Sequence, residues 1–123
     1  MGKQMQLQPE QFFYLLSDET RLRCLSLLQQ RGELCVCDLM TALDIIQPKI
    51  SRHLSILRKL EVVTDRRSGT WIYYRINPKL PVWASQVLSN TTIGICQLEP
   101  YVSDNAQFES DRFNNSSTTS CCP

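Results

Sequence analysis

The chain has 123 residues, of which 42% are hydrophobic and 20% charged, a size and composition typical of one globular domain. No segment approaches the roughly 20 continuous apolar residues of a membrane span, and the polar N-terminus lacks the apolar core of a signal peptide. We therefore expect a cytoplasmic protein without a membrane association. In that reducing compartment the six cysteines stay thiols, and metal binding is favoured over disulfide formation.

The formal net charge is only +1, but the charged residues are distributed unevenly along the chain. Residues 47–79 contain eight basic and two acidic residues, a net charge of +6, whereas residues 1–46 and 80–123 carry net charges of −2 and −3. A basic block between two acidic flanks is expected of a surface that binds nucleic-acid phosphates, and an ordinary solvated face accounts for it less well.

The first third of the chain predicts three helices. Residues 4–16 have an amphipathic pattern, and Asp18 is a capping signal for a second helix whose leucines recur at helical spacing until Gly32. Residues 33–43 predict a short third helix, followed by a tight turn at residues 44–46.

A fourth helix follows that turn, with Pro48 suited to its first turn. Ile50, Leu54 and Leu57 form a narrow inward stripe, and the opposite face is basic and small-polar. A helix, a tight turn and a helix with such an outer face form the helix-turn-helix arrangement.

The next segment predicts a basic hairpin, or wing. Residues 62–65 and 71–76 are β-branched and aromatic, and they flank a loop at residues 66–70 in which Gly69 supplies a positive φ. We predict that the fourth helix and this wing contact DNA through Gln47, Lys49, Ser51, Arg52, Ser55, Arg66 and Arg67.

The rest of the chain predicts one more helix and a tail. A proline-containing break precedes a last helix at residues 82–96, and the polar segment 99–123, which ends with Cys121 and Cys122, is expected to be disordered. The fold class is therefore mainly α with a small β-hairpin (α+β), a winged helix-turn-helix domain spanning residues 1–98.

The Cys35-Val36-Cys37 sequence is the candidate metal site, because thiolates bind soft ions in preference to hard ones. A position near a helix N-terminus favours thiolate and should lower the pKa of these cysteines. On a regular helix, side chains two residues apart point about 200° apart, so binding one ion should unwind the start of the third helix. The alternative is that both cysteines are small buried hydrophobes.

Two segments carry a family resemblance. The runs at residues 33–39 (ELCVCDL) and 47–54 (QPKISRHL) resemble the ArsR/SmtB winged-helix repressors, closest to the arsenic-responsive members. The resemblance implies a homodimer that binds double-stranded operator DNA and is released when As(III) or Sb(III) binds cysteine thiolates. It also implies that the first and last helices form the dimer interface, and that the protein is not an enzyme.

The chain departs from this pattern at two positions and in its tail, because the segment with Cys121 and Cys122 lies outside the pattern. Met40 stands where the arsenic-responsive pattern has a third cysteine, and Ile46 stands where a serine N-cap is common. A thioether is a poor ligand for As(III), so the third sulfur is left to Cys121, Cys122 or Cys24.

Two alternatives remain at this stage. Cadmium- or lead-responsive repressors of the same family share the Cys-Val-Cys sequence but add N-terminal cysteines, and this chain has none before Cys24. A thiol-based arsenical-binding or redox protein would not need a basic helix and wing, and the chain has no Cys-x-x-Cys sequence. The single histidine, His53, argues against the several-histidine zinc sites of other members.

Overall fold

The computed structural model of this chain describes residues 6–114. Within these residues the predicted α+β architecture is confirmed, with one strand and one helix more than expected. The elements are α1 (Pro9–Leu16), α2 (Glu19–Arg31), β1 (Leu34–Cys35), α3 (Val36–Leu43), α4 (Gln47–Lys59), β2 (Val63–Ser68), β3 (Trp71–Ile76), α5 (Val82–Ile95) and α6 (Tyr101–Asn114). None of the helices in this part of the chain is long and apolar enough to cross a membrane.

Helices α3 and α4 form the predicted helix-turn-helix pair. Asp44 ends α3 in the left-handed conformation, with φ of 56°, and its backbone N–H donates to Met40. Helix α4 begins at Gln47 with a proline in its first turn, and the preceding Ile46 offers no side-chain acceptor to its first N–H groups. The apolar face of α4 is buried, which leaves its polar face directed outward.

The strands form one antiparallel sheet in the order β1-β3-β2. In the hairpin, Val63 pairs with Ile76 and Ser68 pairs with Trp71, so the turn is only two residues long. The predicted loop at residues 66–70 is therefore wrong in its bounds. Gly69 has the expected positive φ of 66°, and a two-residue hairpin turn of this kind lets β2 continue to Ser68.

The third helix also begins later than predicted. Leu34 and Cys35 form the short strand β1, in which Leu34 pairs with Tyr74 and Cys35 pairs with Tyr73. The Leu34 side chain is buried in the core, and strand β1 pairs with the edge of β3 that β2 leaves open. Helix α3 consequently starts at Val36.

One apolar core holds the elements together. Its largest fully buried side chains come from α1, α2, α3, α4, α5 and the segment before β2; they are Phe12, Leu15, Leu25, Leu27, Leu28, Leu39, Leu43, Ile50, Leu54, Leu57, Val62 and Leu88. Helices α1 and α5 meet through aromatic rings, because the ring centroids of Phe12 and Trp83 lie 5.3 Å apart at 86°.

Residues 101–114 form helix α6, so the expectation of a disordered tail from residue 99 is wrong for this stretch. The helix is polar overall, but Phe108 is buried in the core and Asp104 is only 4% exposed. Asp104 accepts two hydrogen bonds from Arg23, at 2.9 Å from Nε and 2.7 Å from Nη2. A bidentate guanidinium–carboxylate pair of this geometry offsets the cost of burying both charges.

The remaining contacts of α6 define its direction across α2 and α3. Arg23 Nη2 also donates to the carbonyl oxygen of Leu43, at 2.9 Å, so Asp104 lies near the C-terminal end of α3. Further along α6, Glu109 forms an ion pair with Arg31, the last residue of α2. Helix α6 therefore runs from the C-terminal end of α3 toward the C-terminal end of α2. Strand β1 begins three residues after that end of α2.

His53 attaches the recognition helix α4 to α2. Arg21 Nη1 donates to His53 Nδ1 at 3.3 Å, and Arg21 Nε donates to the carbonyl oxygen of Leu15 at 3.0 Å. A guanidinium group has only donors, so Nδ1 accepts and the imidazole is neutral. Both side chains are buried.

The surroundings of His53 favour this neutral form. Burial is the largest cause that lowers its pKa below the ordinary value of 6.5; the Asp18 carboxylate opposes this, and the cations Arg21, Arg52 and Lys49 add to it. A buried neutral histidine must gain a proton when the chain unfolds in acid, which links the stability of the fold to pH.

We predict that the free energy of unfolding falls as the pH decreases below 6.5 toward the lower pKa of His53, and that this contribution is fully present above 6.5. Urea unfolding at pH 7.5, 6.5 and 5.5 measures it, each unit of pKa difference being worth about 1.4 kcal/mol. Since His53 is the only histidine, His53→Gln should remove the dependence in this window. An equal slope in the variant would contradict the assignment.

Candidate functional site

Cys35 and Cys37 are brought together at the start of α3. Cys35 is the N-cap of the helix, with extended backbone angles of φ −86° and ψ 165°. Its Sγ atom lies 2.9 Å from Sγ of Cys37, and both residues are buried. The two sulfurs therefore face one another without any change in the helix.

This geometry removes the reason for the predicted unwinding. That argument placed both cysteines on a regular helix, where their side chains would diverge. In the structure the pairing of Cys35 with Tyr73 holds Cys35 in an extended strand, and only Cys37 is helical. Two sulfur atoms bound to one ion at about 2.3 Å each lie about 3.4 to 3.8 Å apart at ordinary bond angles, so ion binding requires the two sulfur atoms to separate slightly from the observed 2.9 Å.

Asp38 completes the start of α3. Its carboxylate Oδ2 accepts a hydrogen bond from the backbone N–H of Cys35 at 3.1 Å. In return, the backbone N–H of Asp38 points to the Cys35 side chain, so the two residues form a capping box. Ligand atoms of Cys35, Cys37 and Asp38 all lie within 4.8 Å of one another, the one such group of three that could hold a metal ion in residues 6–114. The prediction had not assigned a role to Asp38.

The other sulfur-containing candidates lie elsewhere. Cys24 is fully buried in the core and is not a member of this group. Met40 is partly buried and packs against the core. Cys121 and Cys122 lie outside the described residues.

The protonation of the thiols differs from the prediction. Burial, the largest cause, raises the pKa of Cys35, and the neighbouring Asp38 carboxylate raises it further, although the backbone N–H groups of Asp38 and Cys37 oppose the change. The predicted lowering by the helix N-terminus is therefore wrong for Cys35. Burial also raises the pKa of Cys24 to about 12, which makes it a neutral thiol of the core.

The oxidation state of the cysteines bears on ion binding. Cys37 is disulfide-bonded in this structure, whereas Cys24, Cys35 and Cys96 carry thiols, so the expectation that all six cysteines stay thiols is wrong for Cys37. A thiolate rather than a disulfide sulfur is the metal ligand, so binding through Cys37 requires that its disulfide is first reduced.

The residues predicted to contact DNA lie on two elements. Gln47, Lys49, Arg52 and Ser55 are exposed on α4, and Ser51 is half-buried beside them. Arg67 is exposed on β2 of the wing. The structure thus presents these polar side chains on the outer face of the helix and on the adjoining hairpin.

Arg66 is also on β2, but its guanidinium group is already engaged. Arg66 Nε and Nη2 donate to the Glu33 carboxylate at 2.8 and 2.7 Å, and the group lies 4.8 Å from the centroid of the Tyr73 ring. The prediction missed Glu33 and Tyr73, because neither is close to Arg66 in sequence and their contact depends on the three-stranded sheet.

Comparisons with known proteins agree with a DNA-binding helix-turn-helix domain. Residues 18–65 match the family model described as "Bacterial regulatory protein, arsR family". The "Arsenical resistance operon repressor" of Escherichia coli K12 is 54% identical over 82 residues, which are 67% of this chain and 70% of that protein. The "Arsenic resistance transcriptional regulator ArsR2" of Pseudomonas putida is 50% identical over 98 residues, 80% of this chain and 83% of that protein.

Solved structures are similar as well. The antimony-specific transcriptional repressor AntR superimposes with a TM-score of 0.58 at 32% identity, over 72% of this chain and 74% of AntR. The homodimeric winged helix-turn-helix domain Mb0332 of Mycobacterium bovis superimposes with a TM-score of 0.58 at 28% identity, over 73% of this chain and 81% of that domain.

Proposed function

Since this chain belongs to the arsR family of bacterial regulatory proteins, we propose that it is a transcriptional repressor that binds operator DNA as a homodimer in the cytoplasm. We further propose that it is released when trivalent arsenic or antimony binds the Cys35 and Cys37 thiolates. It is not an enzyme, because the proteins that it resembles are regulators of transcription.

The observation that carries the proposal is the pair of buried sulfur atoms 2.9 Å apart at the start of α3, the first helix of the DNA-reading pair. Once Cys37 is reduced, two thiolates this close together can bind one thiophilic ion, and the ligand would act directly on the helix-turn-helix. The names of the similar repressors, which refer to arsenical resistance and to antimony, support the same ligand class.

The DNA-binding surface proposed here combines α4 and the wing. It consists of Gln47, Lys49, Ser51, Arg52 and Ser55 with Arg67. The dimer is proposed to form through α1 and α5, because exposed apolar side chains that a monomer would leave in water lie there, namely Phe13, Tyr14, Val82, Trp83 and Ile93.

The alternative functions have less support. A cadmium- or lead-responsive repressor would be expected to have more thiolates, whereas two cysteines meet in the described site. A thiol redox or arsenical-binding protein does not account for the exposed basic face of α4.

The third ligand decides which arsenical binds best. Inorganic arsenite takes three sulfurs, whereas a methylated trivalent arsenical has two exchangeable positions and would be satisfied by Cys35 and Cys37. The Asp38 carboxylate is a harder donor than a thiolate and already accepts a hydrogen bond from Cys35. We propose Cys121 or Cys122 as the third sulfur for arsenite.

The direction of α6 supports this choice. The helix runs toward the end of α2, beside the strand that carries Cys35. Six residues separate Asn114 from Cys121, and the seven Cα–Cα steps between them span up to about 24 Å. Cys24 is not favoured, because it is buried in the core with a raised pKa.

We predict that Cys35→Ser and Cys37→Ser keep operator affinity but require on the order of 100-fold more arsenite for half-release, since serine lacks the soft ligand atom. A gel-shift titration measures the response, with a phosphine reductant because dithiol reductants chelate arsenite. Cys96→Ser is the control variant, because Cys96 lies at the end of α5 outside the site. Release of Cys35→Ser at the wild-type arsenite concentration would refute the site.

We predict that Lys49→Ala and Arg67→Ala each weaken operator binding and reduce the slope of log affinity against log salt by about 0.9, the release expected for one phosphate contact. Fluorescence anisotropy at several salt concentrations measures this slope. Lys79→Ala removes an equal charge from the basic block but from outside the proposed surface. An equal loss of slope in Lys79→Ala would show that overall charge, not this surface, determines binding.

We predict that Cys121→Ser with Cys122→Ser raises the arsenite concentration for half-release by about tenfold or more and leaves the methylarsenite response unchanged, because only inorganic arsenite needs the third sulfur. Met40→Cys in that background should restore arsenite sensitivity, since it places a thiol one helical turn after Cys37. Truncation after Val102 is less informative, because it removes the docked helix α6. An unchanged arsenite response in the double variant would exclude the tail.

A further inference from the structure

A bidentate ion pair joins the segment before Cys35 to the wing. The Glu33 carboxylate accepts from Arg66 Nε at 2.8 Å through Oε2 and from Arg66 Nη2 at 2.7 Å through Oε1. This two-point geometry fixes the orientation of both groups and is stronger than a single ion contact. Because Arg66 is engaged in this ion pair, only Arg67 of the two wing arginines remains to contact DNA.

The same sheet row contains Cys35. Tyr73 of β3 pairs with Cys35 on one side and with Arg66 on the other. Residues directly opposite one another on antiparallel strands project from the same face, so the three side chains lie in one row across the sheet. Glu33 immediately precedes β1, and the two hydrogen bonds that it accepts from Arg66 place its carboxylate beside this row.

The contacts in this row support one another. The Arg66 guanidinium carbon lies 4.8 Å from the centroid of the Tyr73 ring, within the range of a cation–π interaction. We call Glu33, Arg66 and Tyr73 the wing latch.

We propose that the wing latch transmits ion binding at Cys35 to the wing, with Arg66 as a positioning residue that holds the hairpin in its DNA-binding orientation. This inference rests on the proposed function. Strand β1 is only two residues long, so the separation of the Cys35 sulfur from the Cys37 sulfur that a bound ion requires also displaces Glu33. The ion pair then separates, and the wing loses the contact that fixes it relative to α3.

The quantity that tests this inference is the allosteric coupling, the ratio of the operator Kd with saturating arsenite to the Kd without it. Glu33→Gln keeps the size of the side chain and removes its charge. The pair is partly exposed, 29% for Glu33 and 55% for Arg66, so we expect the coupling ratio to fall by about 2- to 5-fold, the range for exposed ion pairs. Asp65→Asn is the matched control, because it removes the same charge from an exposed residue next to Arg66.

Two further variants separate positioning from DNA contact. Exchange of the charges in Glu33→Arg with Arg66→Glu should restore most of the coupling that each single variant loses. Arg66→Ala should lower the coupling but leave the salt slope of metal-free binding unchanged, whereas a phosphate contact would contribute about 0.9 to that slope.

The outcomes distinguish the two proposals. Failure of arsenite to release the wild-type protein overturns the proposed function and with it the coupling. Normal release of the wild type together with an unchanged ratio in Glu33→Gln overturns the wing latch alone. An equal loss in Asp65→Asn, or a reduced salt slope in Arg66→Ala, also overturns it, because the effect would then arise from charge near DNA.

Discussion

The pairing of two residues, Leu34 and Cys35, with strand β3 is the contact on which the rest of the site depends. It holds Cys35 in an extended conformation, which turns its sulfur toward Cys37 rather than away from it. It also makes the start of α3 continuous with the sheet that forms the wing. The strand that carries Cys35 and the wing are thus parts of one hydrogen-bonded sheet, and α4 follows α3 after a short turn, so a change at Cys35 has a short route to both DNA-facing elements.

Burial and charge act together in holding the first helix of the DNA-reading pair. Arg23 donates at once to Asp104 of α6 and to the last carbonyl of α3, so a single guanidinium group satisfies a helix end and anchors another helix. Breaking such a pair leaves an uncompensated charge, which is far more costly than its net contribution to stability. Helix α6 consequently constrains α3 even though most of its own residues are polar.

The features that depend on local sequence could be predicted, whereas those that depend on distant partners could not. Leucine spacing and the Asp18 and Gly32 caps predicted α2, and the inward stripe predicted α4, because helical periodicity is local. Strand β1 has two residues and no periodicity of its own, and its partner lies on β3. The anchors of α6, Asp104 and Phe108, sit in a polar segment, and their partners belong to α2. The Cys-x-Cys pattern identified the sulfur atoms, but their spacing follows from the sheet.

The positions of the aromatic residues give the molecule two intrinsic optical probes. The chain has two tryptophans: Trp71 begins β3 beside the hairpin turn, and Trp83 packs against Phe12 on the α1–α5 side. Indole emission shifts to longer wavelength when the ring becomes more hydrated, so the two rings respond to different events. A protein with only Trp71 would report on the wing, and one with only Trp83 on the helical face, so that movements at the two ends could be timed separately without an attached dye.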